Sequence, residues 1–322
     1  MSADLSPLGL AVGHATDAEG ATGLTIVRGT DRAVRCAGEV IGRATGTREL
    51  HTASPFHLAD RVDAVLLTGG SAYGLDAAAG AMRWMEEHGR GHPVNGGVVP
   101  IVPAAVIFDL KPLGRFDARP TAAMAYDACA TATSVDIAEG SVGAGTGATV
   151  GKASGIAGAM KGGVGIGVAQ SGVLAAGAVA VVNALGDVRD AEGRIIAGAR
   201  GTDGAFVDGA RLIAQGVGRR TIAEPTLQNT TIAVVATSAC LERVELAQLA
   251  RASSAALFRR ITPTGTSFDG DVIFAVCPVD GPPAPLAQVE ALAVQALEQA
   301  VERAVRTAVG RDGIPGLADS SR

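Results

Sequence analysis

Aromatic residues are scarce: Phe, Trp and Tyr make up 3% of the 322 residues, with a single Trp and two Tyr. A core must therefore be packed from Val, Ile, Leu and Ala, with backbones brought close together by the 44 glycines. Charge is thin as well, at 18% against 48% hydrophobic residues, a balance that excludes intrinsic disorder. With a net charge of −5 and no basic stripe to track a phosphate backbone, nucleic acid is excluded as a partner. The four cysteines, Cys36, Cys129, Cys240 and Cys277, stand far apart with no CxxC pair and no neighbouring His. Neither a zinc site nor a redox dithiol is supported, so reduced, buried thiols are expected and no metal or cofactor is called for. Lysine is rarest among the charged types, at Lys111, Lys152 and Lys161 only.

The N-terminal stretch MSADLSPLGLAVGHATDAEG has no basic segment followed by a long apolar one, so a cytoplasmic protein is expected. Residues 162–186 are uncharged and long enough to span a bilayer, but carry seven glycines. Two buried strands with a turn at AQSG, residues 169–172, are the better reading, and no membrane partner is expected.

Elsewhere the apolar periodicity alternates between strand and helix. LTIVR (24–28) and VDAVLLTGG (62–70) read as strands. Residues 72–88 read as a helix capped by Ser71, with Leu75, Ala78, Ala79, Met82 and Met85 on one face. VVPIVPAAVIFDL (98–110) reads as a strand held to an edge by Pro100 and Pro103. Residues 173–183 form another apolar run, and the polar segment 187–225 reads as a linker. After it, 230–237 reads as a buried strand, 241–260 as a helix and 271–278 as a second strand. A last helix is expected from about Leu286 to Val309, with Leu286, Val289, Ala293, Leu297, Val301 and Val305 at helical spacing. These elements predict mixed α/β sheets covered by helices.

Three glycine-containing segments come near to known motifs. GATVGKA (147–153) resembles a phosphate-binding loop but has Thr146 where the first Gly belongs and Ala153 where Ser or Thr is required. GAGTGA (143–148) fits a loose dinucleotide pattern without the preceding strand or a following acidic partner. GGSAYG (69–74) places its last Gly one position too late for a nucleophile elbow. A nucleotide-dependent enzyme using residues 143–152 is one alternative reading; a noncatalytic binding protein is another.

A more specific signal lies where the polar segment meets the buried strand, at Asn229, Thr230 and Thr231. NTTIAVVAT followed by a helix and FDGDVIFAV resembles the self-processing hydrolases of the DmpA type: D-aminopeptidase/amidases, β-peptidyl aminopeptidases and 6-aminohexanoate-oligomer (nylon) hydrolases. VDAVLLTGGSAYGLDAAAGAMRWMEEHGRG, GVVPIVPAAVIFDL, GAGTGATVGK, KGGVG and AVVNALGDV resemble family segments in the same order, so the likeness covers most of the chain.

The resemblance implies an αββα layered fold of the N-terminal-nucleophile type. It also implies one hydrolase domain over residues 1–322 that cuts itself into fragments 1–229 and 230–322, without a cofactor. Elementary chemistry supports the cut independently, because a hydroxyl on Cβ can attack the carbonyl just before its own residue through a five-membered ring. The freed α-amine, with an ordinary pKa of about 7.7–8.0, then serves as general base for the same hydroxyl. The substrate implied is a short peptide or ω-amino amide, nylon oligomers included, and the assembly an oligomer of processed heterodimers, a tetramer by analogy.

Residue by residue, the resemblance makes Thr230 the nucleophile and Asn183 a donor to the developing oxyanion or a positioner of Thr230. Lys152 matches the Lys of the nylon hydrolases, and Lys161 in KGGVG is the competing candidate. Asp269 and Asp271 match an acidic pair that would hold the α-ammonium of Thr230 or the amino group of a substrate; an Asp-Gly turn is the plainer reading. Phe108 stands where the nylon hydrolases have a Tyr, which removes a phenolic donor. Tyr73 matches a family Tyr but sits at a helix start, where packing alone would explain it.

Overall fold

The computed structural model describes residues 3–216 and 229–321. Two sheets pack face to face and each carries helices on its outer side, the αββα sandwich that the resemblance implies. One sheet has five strands in the order Leu10–Asp17, Thr22–Gly29, Ala64–Thr68, Ala104–Val106 and Thr47–Arg48. The other has six, in the order Gly163–Ser171, Leu174–Asn183, Thr230–Thr237, Val272–Cys277, Val34–Val40 and Arg61–Val62.

Period-two alternation assigns each strand residue to a layer. In the strand Thr230–Thr237, Ile232, Val234 and Ala236 face the core between the sheets, where they meet Leu10, Val27, Val65 and Leu67. Ala233 and Val235 point the other way, against the helices Arg243–Arg260 and Leu286–Arg306. The outer face of the five-stranded sheet is covered by helices Ala78–Glu87 and Ala122–Ala130. The unit Thr230–Thr237, Arg243–Arg260, Val272–Cys277 runs strand, helix, strand, as the periodicity predicts, and its two strands pair parallel.

The uncharged run 162–186 is a hairpin, Gly163–Ser171 paired antiparallel with Leu174–Asn183. Among the described residues no helix is long and apolar enough to cross a membrane. Its glycines have a packing reason. A Cβ on Gly163, Gly165 or Gly167 would lie 2.0–2.4 Å from the carbonyl oxygens of Ala304, Ala300 and Ala296. This glycine stripe lets the backbone of helix Leu286–Arg306 rest directly on the strand, replacing the bulky interdigitation that an aromatic-poor chain lacks.

Four expectations are corrected. Ser71 caps no helix: Gly70 and Ser71 both have positive φ, +79° and +52°, and a 3₁₀ segment Ser71–Ala77 precedes the helix Ala78–Glu87. The turn is held by Gly70 N–H donating to Asp109 Oδ1 at 2.6 Å and Ser71 N–H donating to the Ile107 carbonyl at 3.0 Å. The buried face of that helix runs through Ala78, Ala81, Trp84 and Met85, leaving Ala79 exposed. The run 98–110 is two separate strands, Gly97–Val99 and Ala104–Val106, because Pro100 and Pro103 supply no amide to a ladder. Finally, the expected linker is folded over residues 187–216, with elements Asp187–Arg189, Ile195–Ala197 and Gly209–Ala214. Its anchor is the buried Asp187 carboxylate, which accepts from Ala199 N–H at 2.8 Å and Gly209 N–H at 2.7 Å. The rest of that segment, 217–225, lies outside the described residues.

Candidate active site

Thr230 is the first residue of a central strand, and Asn229 before it forms a bridge with Asp269. The junction is buried: Asn229 is 1% exposed and Thr230 5%. The Thr230 hydroxyl donates to the Asn229 carbonyl oxygen at 2.6 Å, and the Gly270 N–H donates to the same oxygen at 2.8 Å. The peptide group preceding Thr230 is thus polarised by two donors while the hydroxyl lies against it. Only glycine fits at 270, because a Cβ there would stand 2.8 Å from Thr230 Oγ1 and 2.6 Å from the Ala44 carbonyl oxygen.

Asn183 ends the neighbouring strand and pairs in register with Thr230. Its side-chain oxygen accepts from Lys152 Nζ at 3.0 Å and Thr149 N–H at 3.0 Å, while its amide nitrogen donates to the Phe108 carbonyl at 3.1 Å. Lys152 Nζ also donates to the Asn183 carbonyl at 3.2 Å. Asn183 therefore has its amide hydrogen-bonded within the protein and serves here to seat Lys152. Burial pushes the Lys152 ammonium down to about 7, against the opposing pull of the Asp269 carboxylate, and the charge of Lys161 pushes further down. A lysine that titrates near neutrality can exchange protons as well as supply charge.

Asp269 and Asp271 flank Gly270 on the other side of the junction. Asp271 Oδ1 accepts from Thr231 N–H at 2.6 Å, and its Oδ2 accepts from Thr264 Oγ1 at 3.0 Å and Gly265 N–H at 3.1 Å. Asp269 accepts from Thr266 N–H at 2.7 Å. Burial raises both carboxyls, and the like charge of Asp269 helps carry Asp271 to about 7. Lys152, Asp269 and Asp271 thus form a buried acid–base cluster around the Asn229–Thr230 bond, the clustering typical of reacting centres.

The remaining candidates lie elsewhere or play other parts. Lys161 is 1% exposed, and its ammonium donates to the carbonyls of Gly145, Thr146 and Ala148 at 3.4, 2.8 and 2.6 Å. It braces the glycine-rich loop, with Asp109 as counter-charge, and is pushed by burial down to about 7. Tyr73 is 58% exposed and lies under the Arg119 guanidinium, 4.0 Å from its ring centre. The phosphate-loop look-alike opens onto no α-helix: Thr149–Val150 is a two-residue strand, Lys152–Ser154 a single 3₁₀ turn, and Lys152 points to Asn183. The near-neighbours of the junction also form no metal site, since among the described residues no group of three or more His, Cys, Asp or Glu is placed to hold an ion.

Phe108 does sit at the junction. It borders a cavity of about 160 Å³ lined also by Asn229, Thr230, Ala44, Gly46, Ala72 and Val106. Ser71 and Thr45 contribute the other wall atoms. Asn229 Nδ2 and Oδ1 are both buried without a hydrogen-bond partner, a situation that costs about 1–3 kcal/mol per group. Gly270 and Ser71 carry no sequence signal for their place at the junction: the first reads only as part of an Asp-Gly turn, and the second as a cap.

The model for peptidase family S58 matches residues 7–315. The chain belongs to peptidase family S58. As a member it is a hydrolase acting on amide bonds. Over 324 residues it is 43% identical to an uncharacterized aminopeptidase of Mycobacterium tuberculosis, an alignment covering 93% of this chain and 90% of that one. A 6-aminohexanoate-oligomer endohydrolase of a Kocuria species is 31% identical over 281 residues, 83% of this chain and 72% of its own. Among solved structures, the L-aminopeptidase D-Ala-esterase/amidase of Ochrobactrum anthropi, a variant of the Ntn hydrolase fold, superposes with a TM-score of 0.68 at 19% identity, covering 97% of this chain and 90% of its own. A Pyrococcus horikoshii protein reaches 0.69 at 19% identity over the same shares.

Proposed function

We propose that this S58 peptidase cleaves itself between Asn229 and Thr230 and then uses Thr230 as an N-terminal nucleophile to hydrolyse amides. The observation that carries the reading is the pair of donors, Thr230 Oγ1 and Gly270 N–H, on the Asn229 carbonyl oxygen. In self-cleavage the Thr230 oxygen attacks the Asn229 carbonyl carbon, the C–N bond to Thr230 breaks, and its nitrogen gains a proton. Water then hydrolyses the resulting ester, leaving an Asn229 carboxylate and a free Thr230 amine.

Catalysis repeats the sequence on a substrate carbonyl. The Thr230 amine takes the hydroxyl proton, the oxygen bonds to the acyl carbon, and the leaving amine departs with that proton. Water, deprotonated by the same amine, releases the acid and restores Thr230. Gly270 N–H stabilises the oxyanion, a contribution of about 2.7–4 kcal/mol for a single such donor. Lys152, seated by Asn183, supplies charge or a proton to the same centre, and the Asp269–Asp271 pair holds the new ammonium.

The substrate class proposed is a short peptide or amino-acyl amide. The aminopeptidase and 6-aminohexanoate-oligomer endohydrolase relatives support that class, as does the small volume of the cavity beside Thr230. Processed heterodimers assembling into a homo-oligomer belong to the same reading. The test is hydrolysis of aminoacyl p-nitroanilides by the wild-type protein and by Thr230→Ala: the reading requires activity in the first and none in the second, and equal activity in both refutes it.

A further inference from the structure

We propose that Lys161 and Asp109 are positioning residues for the Thr230 chemistry: each fixes one end of the Asn183 side-chain amide, and Asn183 so held seats Lys152. This inference rests on the Thr230 reading above and deepens it.

The Asn183 amide has to point one way. Lys152 Nζ donates to its Oδ1 at 3.0 Å, and a flipped amide would set its NH2 against that ammonium. Two further contacts fix the orientation: Oδ1 accepts from Thr149 N–H at 3.0 Å, and Nδ2 donates to the Phe108 carbonyl at 3.1 Å. Both partners are backbone groups. The residues beside them in the chain, Ala148 and Asp109, are where the two buried charges act.

On the oxygen side, Lys161 is 1% exposed and its Nζ donates to the carbonyls of Ala148, Thr146 and Gly145 at 2.6, 2.8 and 3.4 Å. An ammonium has three N–H donors, and these carbonyls use all of them. Residues 145–148 are thereby gathered on one cation, with the Gly162 N–H as a second donor to Ala148 at 2.9 Å. Thr149 N–H leaves this loop directed at Asn183.

On the nitrogen side, Asp109 ties the Phe108 carbonyl to the five-stranded sheet. Its carboxylate accepts from Thr22 Oγ1 at 2.7 Å and from Gly70 N–H at 2.6 Å. The loop and the carboxylate also meet: a Cβ on Gly147 would stand 2.6 Å from Asp109 Cβ and 2.9 Å from its Oδ2. Neither Asp109 nor Lys161 lines the cavity at Thr230, so their route to the reacting bond runs through Asn183. Buried opposite charges stabilise a fold no better than well-packed apolar residues; what these two supply is a fixed geometry. Lys161 faces the charges of Asp109, Arg311 and Asp312, and Lys152 faces those of Asp269 and Lys161.

The test is a double-mutant cycle on self-cleavage of the full chain: wild type, Lys161→Met, Asn183→Ala and the double variant. Each single substitution is expected to slow cleavage about 10²-fold, the scale for a displaced group at a reacting centre. The double variant is expected to be about as slow as the slower single one, well short of the roughly 10⁴-fold of independent effects. A wild-type rate in Lys161→Met, or effects that multiply, overturns the proposal. Asp109→Asn keeps an acceptor for Gly70 but deprives Lys161 of its counter-charge, and a neutral amine holds only two of the three carbonyls. It is expected to slow cleavage at least about tenfold and to add nothing to Lys161→Met; full activity or a multiplying effect counts against the proposal, whether or not Lys161→Met folds. A second readout needs no cleavage. In Thr230→Ala protein labelled with 15N-lysine only three lysines give signals, and Lys161→Met should move the Lys152 midpoint up from about 7, because Lys152 loses both its buried seat and a neighbouring cation. An unmoved midpoint, or multiplying rates, in a protein whose wild type cuts itself refutes this inference alone. An uncut wild-type chain refutes the Thr230 reading and this inference with it.

Discussion

Lys152 Nζ donates to Asn183 Oδ1 at 3.0 Å, and Asn183 faces Thr230 across the sheet in register. The pair ties a cation to the strand end beside Thr230. Because the ammonium donates to both the side chain and the carbonyl of Asn183, its place depends on a compact head on a long stem. Lys152→Met should slow self-cleavage by about 10²-fold or more, the scale for loss of one electrostatic group at a reacting carbonyl. Lys152→Arg should not rescue it, since a planar guanidinium cannot occupy the same position. Fragment appearance on denaturing gels over days measures both; wild-type rates in Lys152→Met would remove Lys152 from the chemistry.

Gly270 gives a sharper steric test. Its Cβ would lie 2.8 Å from Thr230 Oγ1, so Gly270→Ala should displace the hydroxyl from the Asn229 carbonyl or pull the Gly270 N–H off its oxygen. Processing should fall by about 10²–10³-fold. A thermal melt and circular dichroism establish that the variant is folded, and rapid processing in it would mean that the Gly270 amide is not the oxyanion donor.

The glycine stripe under the last helix predicts a stability effect remote from the chemistry. A Cβ on Gly165 would stand 2.1 Å from the Ala300 carbonyl oxygen and 2.3 Å from the Ala304 nitrogen. Gly165→Ala should therefore cost about 1–3 kcal/mol or more through forced separation of helix and strand. Gly97→Ala, where nothing lies within 4 Å of the added carbon, is the control and should leave the melting temperature unchanged.

Stability should also depend on pH through the buried lysines. Lys161 is lowered by burial to about 7 from an ordinary 10.5, so between those values the unfolded chain binds more protons than the folded one. Stability then rises with pH across that window. In a Thr230→Ala background, which stays one chain, the unfolding free energy from urea titrations should increase by about 1–2 kcal/mol per buried lysine between pH 7 and 8.5. Lys161→Met in the same background should lessen the rise, and an unchanged slope would contradict a neutralised Lys161.

Much of this was legible in sequence because local rules decide it. The alternating apolar strand after Asn229, the amphipathic spacing from Leu286 and the paired Asp269 and Asp271 are written in neighbouring residues. What escaped reading depends on parts of the chain far apart. Gly270 looks like any Asp-Gly turn until Ala44 and Thr230 are brought to within 2.8 Å of its missing Cβ. Lys152 and Lys161 are indistinguishable as two lysines in a glycine-rich stretch; only the fold sends one to Asn183 and the other to three loop carbonyls. Segment 187–216 looked like a linker because its anchor, the Asp187 carboxylate, works over 12 and 22 residues through backbone amides that carry no side-chain signature.

The proposed self-cleavage has the Thr230 hydroxyl break the peptide bond on which it already rests. Intact mass of the purified wild-type protein after incubation near neutral pH tests it directly. The 32.0 kDa chain should be replaced by fragments of about 23 and 9 kDa, as a processed N-terminal nucleophile requires. The smaller fragment should begin Thr-Thr-Ile-Ala and span Thr230 to Arg322. A chain that stays at full mass while hydrolysing amides, or one cut at any other bond, would contradict it.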